Sequence, residues 1–382
     1  MSPATIVLAA GGTGGHIFPA EALARVLIGR GHKVALVTDR RGDAFGDASI
    51  AVESHTIRSA TVGAGVIGKL RTVVALVLGT LQARRLLKRL RPAALVGFGG
   101  HASAPTVLAA SGMGIPVLLH EQNAVLGRTN RLLAKRADRI ATAFPSVERL
   151  PAGGADRLAR TGNPVRAAIA EQAGAPYAPP ADKGPVRILV LGGSQGARAL
   201  SELIPAALAD LPEPLRGRLV VTQQCREEDL PAVRAVYRDR RIVHQLDTFF
   251  RDVPRLMAEA HLVICRAGAS TIAELTAIGR PAILIPFPFA MDDHQTANAR
   301  ALETAGGGWL MPQEALDPAG LGSRIEALLA APETLAEAAA KARAFGTSAA
   351  ADRLADAVLD LAGTVQGNGG GASRRPRQEV AA

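Results

Sequence analysis

His16 ends the run Gly11-Gly12-Thr13-Gly14-Gly15 and opens an apolar-periodic stretch. An imidazole titrates near pH ~6.5, so at neutral pH it can take a proton from an attacking hydroxyl. Spacing alone leaves two readings open for it: a polar residue at a helix start, or a base in a cleft. A second group, Arg266-Ala267-Gly268-Ala269-Ser270-Thr271 with Glu274, offers similar alternatives. Ser270 and Thr271 can cap the following helix, and Glu274 stands three residues beyond Thr271 as in a capping box, which is the simpler reading. Its carboxylate can also accept hydrogen bonds from the two hydroxyls of a ribose. Asp292-Asp293-His294-Gln295 follows a proline-rich loop exit. The two carboxylates and the imidazole resemble a metal set, but no second acidic pair has matching spacing, so a solvated loop is expected and no metal.

The elements that position these residues repeat. Residues 5–10 form a short apolar run, followed by the glycine turn and a helical pattern through Ala20, Leu23, Ala24 and Leu27. Residues 186–191 repeat the scheme, with Gly192-Gly193-Ser194-Gln195-Gly196 and a helix through Ala199, Leu200 and Leu203. Both turns read Gly-Gly-x-x-Gly. Short strands expected at 33–38, 92–96, 116–120, 139–143, 219–222, 262–265 and 282–286 alternate with helical stretches. The fold class that follows is α/β, with two Rossmann-like, doubly wound parallel-sheet domains facing a central cleft. Glycine turns at the carboxyl ends of parallel strands let backbone N–H groups and a helix N-terminus approach a diphosphate. The proline-rich 171–185 segment reads as the connection between the halves. The expected domains are 1–163, with a helix at about 345–363 packing back on it, and 164–344; residues 364–382 read as a disordered tail.

Composition narrows the partners. The formal charge is +10, partly from Arg374, Arg375 and Arg377 near the end. A basic balance suits polyanions. Aromatics are only 3% of the chain, too few for a base-stacking platform, so no nucleic-acid partner is expected. Cys225 and Cys265 are the two cysteines, which form no disulfide framework and point to a reducing compartment. No secretory signal and no spanning apolar run is read. Gly63-Ala64-Gly65-Val66-Ile67-Gly68-Lys69-Leu70 matches G-x-G-x-x-G and nearly matches a Walker A, but Leu70 cannot hold magnesium and the mostly polar 55–61 segment ahead of it makes a poor buried strand, so a flexible loop is expected.

Taken in order, the motifs resemble the GT-B glycosyltransferases of family 28. They are Gly11 to His16, Gly97-Phe98-Gly99-Gly100, His120-Glu121-Gln122-Asn123, Gly162-Asn163-Pro164-Val165-Arg166, Leu191 to Arg198, Cys265 to Thr271 with Glu274, and Gln295 with Asn298. Each is modest alone; the ordered set over about 300 residues is specific. The resemblance implies transfer of GlcNAc from a UDP-GlcNAc donor to the C4 hydroxyl of MurNAc in the lipid I acceptor, with inversion, forming lipid II. It implies no cofactor. It places Ser194 and Arg166 at the diphosphate, Ala269, Ser270 and Thr271 around the nucleotide, Glu274 on the ribose and Phe250 against the uracil. Gln295 is the expected sugar contact, and Thr13, Gly14, Gly15 and Asn123 approach the sugar from the other lobe. His16 is the candidate base. The chain departs from the family pattern at His101, where Tyr is usual, and at His294, where Gln is frequent.

A lipid-linked acceptor implies a peripheral enzyme at the cytoplasmic face of the inner membrane. Leu70, Val74, Val77 and Leu81 share one helical face beside Lys69, Arg71, Arg84, Arg85, Lys88 and Arg89, which suits an anionic membrane surface. The competing readings are a UDP-GlcNAc 2-epimerase-like enzyme and a non-catalytic nucleotide-sugar-binding protein. A nicotinamide-dependent dehydrogenase is disfavoured because the first turn lacks G-x-G-x-x-G.

Overall fold

The computed structural model describes residues 3–11, 14–39, 52–59, 65–101, 103–193, 196–347 and 349–367. Thr13, Ser194 and the tail from residue 368 therefore lie outside the described residues. Seven strands form the first sheet: β1 Thr5–Ala9, β2 Lys33–Thr38, β3 Glu53–Thr56, β4 Ala94–Gly97, β5 Val117–Glu121, β6 Arg139–Thr142 and β7 Leu158–Arg160. Six form the second: β8 Val186–Leu191, β9 Leu219–Gln224, β10 Val243–Asp247, β11 Leu262–Cys265, β12 Ala282–Leu284 and β13 Gly308–Leu310.

Every pairing is parallel, and the orders are β3-β2-β1-β4-β5-β6-β7 and β10-β9-β8-β11-β12-β13. Both sheets reverse direction of build at their first strand. The reversal falls between β1 and β4 in one lobe and between β8 and β11 in the other. At such a point the loops leaving neighbouring strands diverge and open a crevice, the usual place for a ligand. The four glycine-bearing turns are the loops after these four strands.

Helices cover both faces of each sheet, so the central strands β1, β4 and β11 are almost continuously apolar and buried, and β5 is buried throughout with His120 and Glu121 at its end. The Ala350–Gly367 helix lies against the Gly14–Gly29 helix on the first lobe, where Leu354, Ala355, Val358 and Leu359 join Leu23 and Leu27 in one core. Burying each leucine or valine there contributes roughly 1.5–3 kcal/mol. Arg30 adds ion pairs to Asp352 at 2.7 Å and Asp356 at 2.6 Å. This helix runs through residues 364–367, a stretch that sequence read as tail. Residues 65–70, in the stretch read as a flexible loop, begin the Gly65–Leu90 helix, and the polar 53–56 segment ahead of it is a parallel edge strand beside β2; an edge strand exposes one side and tolerates Glu53, Ser54 and His55.

The 171–185 connection is anchored to the second lobe by Arg280, the largest fully buried side chain. Its guanidinium donates to the carbonyls of Ala175 (3.4 Å), Pro176 (3.1 Å), Ala258 (3.0 Å through Nε), Ile278 (3.1 Å) and Gly279 (3.0 Å). It also lies over the Tyr177 ring. Burial lowers its pKa to about 10, so it stays a cation at neutral pH.

Candidate functional site

The loops after β1 and β4 bring His16 onto the third glycine turn. Gly99 and Gly100 have φ of +86° and +76°, which side chains rarely adopt. A Cβ on Gly100 would stand 3.3 Å from His16 Cδ2, and one on Gly99 3.5 Å from His16 Cε1. The imidazole thus rests on this backbone. His16 Nδ1 faces Gln122 Oε1 at 3.3 Å, and Gln122 Nε2 donates to the Phe98 carbonyl at 3.0 Å. Burial lowers the pKa of His16, and the nearby Glu121 carboxylate opposes the shift. The ring is therefore neutral at physiological pH, the form a base needs.

His120, at the end of β5, is fully buried; its Nε2 lies 3.0 Å from the Gly162 carbonyl and its ring packs on Phe98. Burial pulls its pKa down to about 4. In the unfolded chain an imidazole protonates near pH ~6.5, whereas in the folded protein this one resists until about pH 4. The stabilisation is complete above the unfolded value and is lost as pH falls toward the folded one. Unfolding free energy should drop by roughly 3 kcal/mol across that window from this group alone. Denaturant titrations at a series of pH values check it, with His120→Gln flattening the slope.

Glu121 is also buried and has all its lone pairs engaged. Oε1 accepts from Asn123 N at 3.1 Å and Asn123 Nδ2 at 3.3 Å; Oε2 accepts from Gly127 N at 2.9 Å and Asn130 Nδ2 at 2.9 Å. It fixes Asn123 at the lobe boundary. There Asn298, fully buried on the His294–Thr304 helix, donates to Asn123 Oδ1 (3.1 Å) and the Ala267 carbonyl (3.1 Å), and accepts from Ala124 N (2.8 Å). One amide side chain thus ties the first lobe to the loop after β11.

On the second lobe the Ala269–Ile278 helix has Gly268 at its N-cap and no side-chain cap. The capping-box reading of Thr271 and Glu274 is therefore wrong. Glu274 Oε1 instead pairs with Arg166 at 2.8 Å and 3.0 Å, because a charged bidentate donor outweighs a local amide. Burial raises the Glu274 pKa and Arg166 counters the rise. Phe18, one turn from Gly14 on the first lobe, lies under the Arg166 guanidinium at 5.3 Å. Ser270 Oγ and Asn163 Oδ1 are buried without a hydrogen-bond partner, two polar atoms beside this ion pair in sequence and open to a ligand or water.

The site residues expected from sequence take several positions. His16, Ala269, Ser270, Thr271 and Glu274 stand on the helices that follow the switch-point strands β1 and β11, whereas Asn123 follows β5 and Arg166 follows β7 and reaches Glu274. Gly14 and Gly15 are exposed at the N-terminus of the helix that carries His16. Gln295 spends its Oε1 on Phe287 N (2.9 Å), which shapes the loop after β12 and leaves its amide nitrogen for a ligand. Phe250 follows the edge strand β10 and is only 7% exposed, whereas its neighbour Phe249 is 68% exposed.

Asp292 corrects the sequence reading of a solvated loop. Its carboxylate is 13% exposed and pairs with Arg149 (2.8 Å), Arg131 (3.0 Å) and Arg128 (3.3 Å) of the first lobe. These cations, Arg128 foremost, hold its pKa down at about 2. Phe18, Gln122 and Asp292 each meet a partner more than a hundred residues away; Gln122 and Asp292 stood in local motifs that gave no sign of those partners, and Phe18 stood in none. Among the described residues no cluster of three His, Cys, Asp or Glu is arranged to hold a metal ion, and no helix is long and apolar enough to cross a membrane.

Known proteins match this arrangement along its whole length. The glycosyltransferase family 28 N-terminal domain matches residues 6–142 and the family's C-terminal domain residues 187–354. A UDP-N-acetylglucosamine--N-acetylmuramyl-(pentapeptide) pyrophosphoryl-undecaprenol N-acetylglucosamine transferase of Rhodospirillum centenum is 58% identical over 369 residues, 97% of each chain. The protein so named in Paramagnetospirillum magneticum is 55% identical over 93% of this chain and 96% of its own. A crystal structure of MurG from Acinetobacter baumannii superposes with a TM-score of 0.76 at 32% identity, covering 94% of this chain and all of that one. With two parallel-sheet lobes, both family domains in order and relatives more than half identical from end to end, this chain belongs to glycosyltransferase family 28.

Proposed function

We propose that this enzyme transfers GlcNAc from UDP-GlcNAc to the C4 hydroxyl of MurNAc in lipid I, forming lipid II for peptidoglycan synthesis. The observation that carries the reading is the 58% identity, over 97% of both chains, to a protein named for that transfer. The acceptor oxygen attacks the anomeric carbon from the face opposite the diphosphate. The C1–O bond to it forms as the C1–O bond to UDP breaks, the electron pair leaves with UDP, and the configuration inverts. His16 Nε2 takes the hydroxyl proton. Negative charge growing on the diphosphate meets the Arg166 guanidinium and the helix start after the second glycine turn, where Ser194 belongs.

Arg166 and Glu274 neutralise each other in the ligand-free protein. Donor binding draws them apart in role: Arg166 to the diphosphate, and the free oxygen of Glu274 to the ribose. Ser270 Oγ, otherwise orphaned, gains a partner from the nucleotide. Ala269 and Thr271 border the same pocket, Phe250 packs toward the uracil, and the Gln295 amide reaches the GlcNAc hydroxyls. Thr13, Gly14, Gly15 and Asn123 hold the sugar from the acceptor side. Incubation with labelled UDP-GlcNAc and a lipid I analogue is expected to give a β-linked, lipid-bound disaccharide and free UDP. Recovery of UDP-ManNAc, or donor binding without product, would favour the epimerase or sensor reading.

The acceptor places the enzyme on the cytoplasmic face of the inner membrane as a peripheral protein. Leu70, Val74, Val77 and Leu81 on the Gly65–Leu90 helix are 63%, 49%, 53% and 49% exposed, while Ala83 and Leu87 on the other side are buried. An apolar stripe left in solvent and flanked by Arg71, Arg84, Arg85, Lys88 and Arg89 fits an anionic bilayer. Val74→Asp with Leu81→Asp should lower co-sedimentation with anionic vesicles at least tenfold, since two charges replace buried apolar contact. Unchanged vesicle binding would remove this face from the membrane contact.

A further inference from the structure

A chain of hydrogen bonds from the Phe98 carbonyl through Gln122 and His120 to the Gly162 carbonyl meets the proposed base at Gln122. The Phe98 carbonyl can only accept, so the Gln122 atom 3.0 Å from it is the amide nitrogen. That nitrogen's second hydrogen points at His120, 3.1 Å from Nδ1 and 3.3 Å from the carbonyl. His120 can receive it at Nδ1, because its own Nε2 must carry the hydrogen that reaches the Gly162 carbonyl at 3.0 Å. Both ends of the chain are main-chain carbonyls that cannot reverse, so the amide cannot flip without setting two oxygens against each other. Gln122 Oε1 is then the atom that faces His16 Nδ1 at 3.3 Å. An amide oxygen accepts, so Nδ1 holds the ring hydrogen.

We infer that Gln122, oriented by the Phe98 carbonyl and by His120, is a positioning residue that fixes His16 in the tautomer whose Nε2 lone pair is free. This deepens the proposed function and rests on its assignment of His16 as base. The arrangement accounts for two buried polar side chains, Gln122 and His120, that touch no candidate ligand position. It also explains why His120 stays neutral. A second proton on His120 would sit on Nδ1, aimed at the Gln122 amide, and would reverse the chain. Glu121, His101 and His120 are the titratable groups around His16. Of these only Glu121 is a carboxyl group, and all its lone pairs are engaged elsewhere. The direction of the chain therefore sets where the His16 hydrogen sits, while the surrounding charge sets how readily the ring protonates.

The test is 15N spectroscopy of the full chain labelled at histidine, at pH 7.5 without substrate, with the His16 signals assigned by their loss in His16→Ala. The expected spectrum has a protonated Nδ1 and an unprotonated Nε2 for His16, and the opposite tautomer for His120. Gln122→Met removes the acceptor. It should introduce the Nε2–H form of His16 and lower kcat about tenfold or more with little change in KM for UDP-GlcNAc. Gln122→Glu, protonated so that its hydroxyl replaces the amide donor toward the Phe98 carbonyl, keeps an oxygen opposite Nδ1 and should retain the wild-type His16 tautomer. A wild-type His16 with its hydrogen on Nε2, or an unchanged His16 tautomer in Gln122→Met, overturns the inference. Because the spectra need no turnover, they separate it from the base assignment. A correct tautomer with full activity in His16→Ala would leave the chain of bonds standing and end the role of His16.

Discussion

His16→Ala should lower kcat by about 10²–10⁴-fold while leaving UDP-GlcNAc binding within about twofold of the wild type. The loss is confined to turnover because the proposed mechanism gives His16 the acceptor proton as the new bond forms. In the same proposal the donor is held by other parts: the Arg166–Glu274 pair, the start of the Ala269–Ile278 helix and the turn after β8. An imidazole supported on the Gly99–Gly100 backbone and bonded to Gln122 also has few contacts whose loss would unsettle the lobe. Calorimetric titration with UDP-GlcNAc beside steady-state kinetics checks both halves. A variant with wild-type turnover removes His16 from the chemistry. One that loses donor affinity along with turnover assigns it to binding instead.

The second large effect is on stability. Arg280→Met is expected to destabilise the protein by about 3–5 kcal/mol, lowering the melting temperature by on the order of 10 °C. Methionine fills the space but donates nothing, and the carbonyls of Ala175, Pro176, Ala258 and Gly279 lose the guanidinium that serves them. Arg343 reaches Ala175 and Ile278 and softens the loss at those two. The damage should centre on the connection between lobes, so hydrogen exchange should rise first across 174–177 and 278–280. A melting temperature within a degree or two of wild type would show that the connection is held by other contacts.

What sequence made legible was whatever repeats or is local. The strands β1 and β8 are short apolar runs followed by glycines, and backbone geometry at a tight turn demands such residues, so the two glycine turns and the parallel-sheet halves they open were readable from sequence. Strands without an apolar run were harder. β3 is polar along its length, and β10 alternates exposed and half-buried residues at the far edge of the second sheet. The Thr271–Glu274 spacing carried a true local signal, but Arg166, 108 residues from Glu274, offered a stronger partner than any amide on its own helix.

Contacts between distant residues set the rest. Asp292 looked like part of a solvated cluster because nothing near it in sequence announces three arginines 143 to 164 residues away. Gln122 was visible within a motif but had no role until His16 Nδ1 and the Phe98 carbonyl were both seen beside it. The function followed from the order of the motifs; the logic of protons and charges followed from which of them meet.

In the proposed mechanism a pyrophosphate-linked sugar is gripped between the two switch points. A crystal structure of the protein at saturating UDP-GlcNAc addresses it directly. The ribose is expected on Glu274, the diphosphate between Arg166 and the turn after β8, and the GlcNAc C1 open toward His16 Nε2. Donor density on the outer face of either lobe, or a sugar turned away from His16, would contradict it.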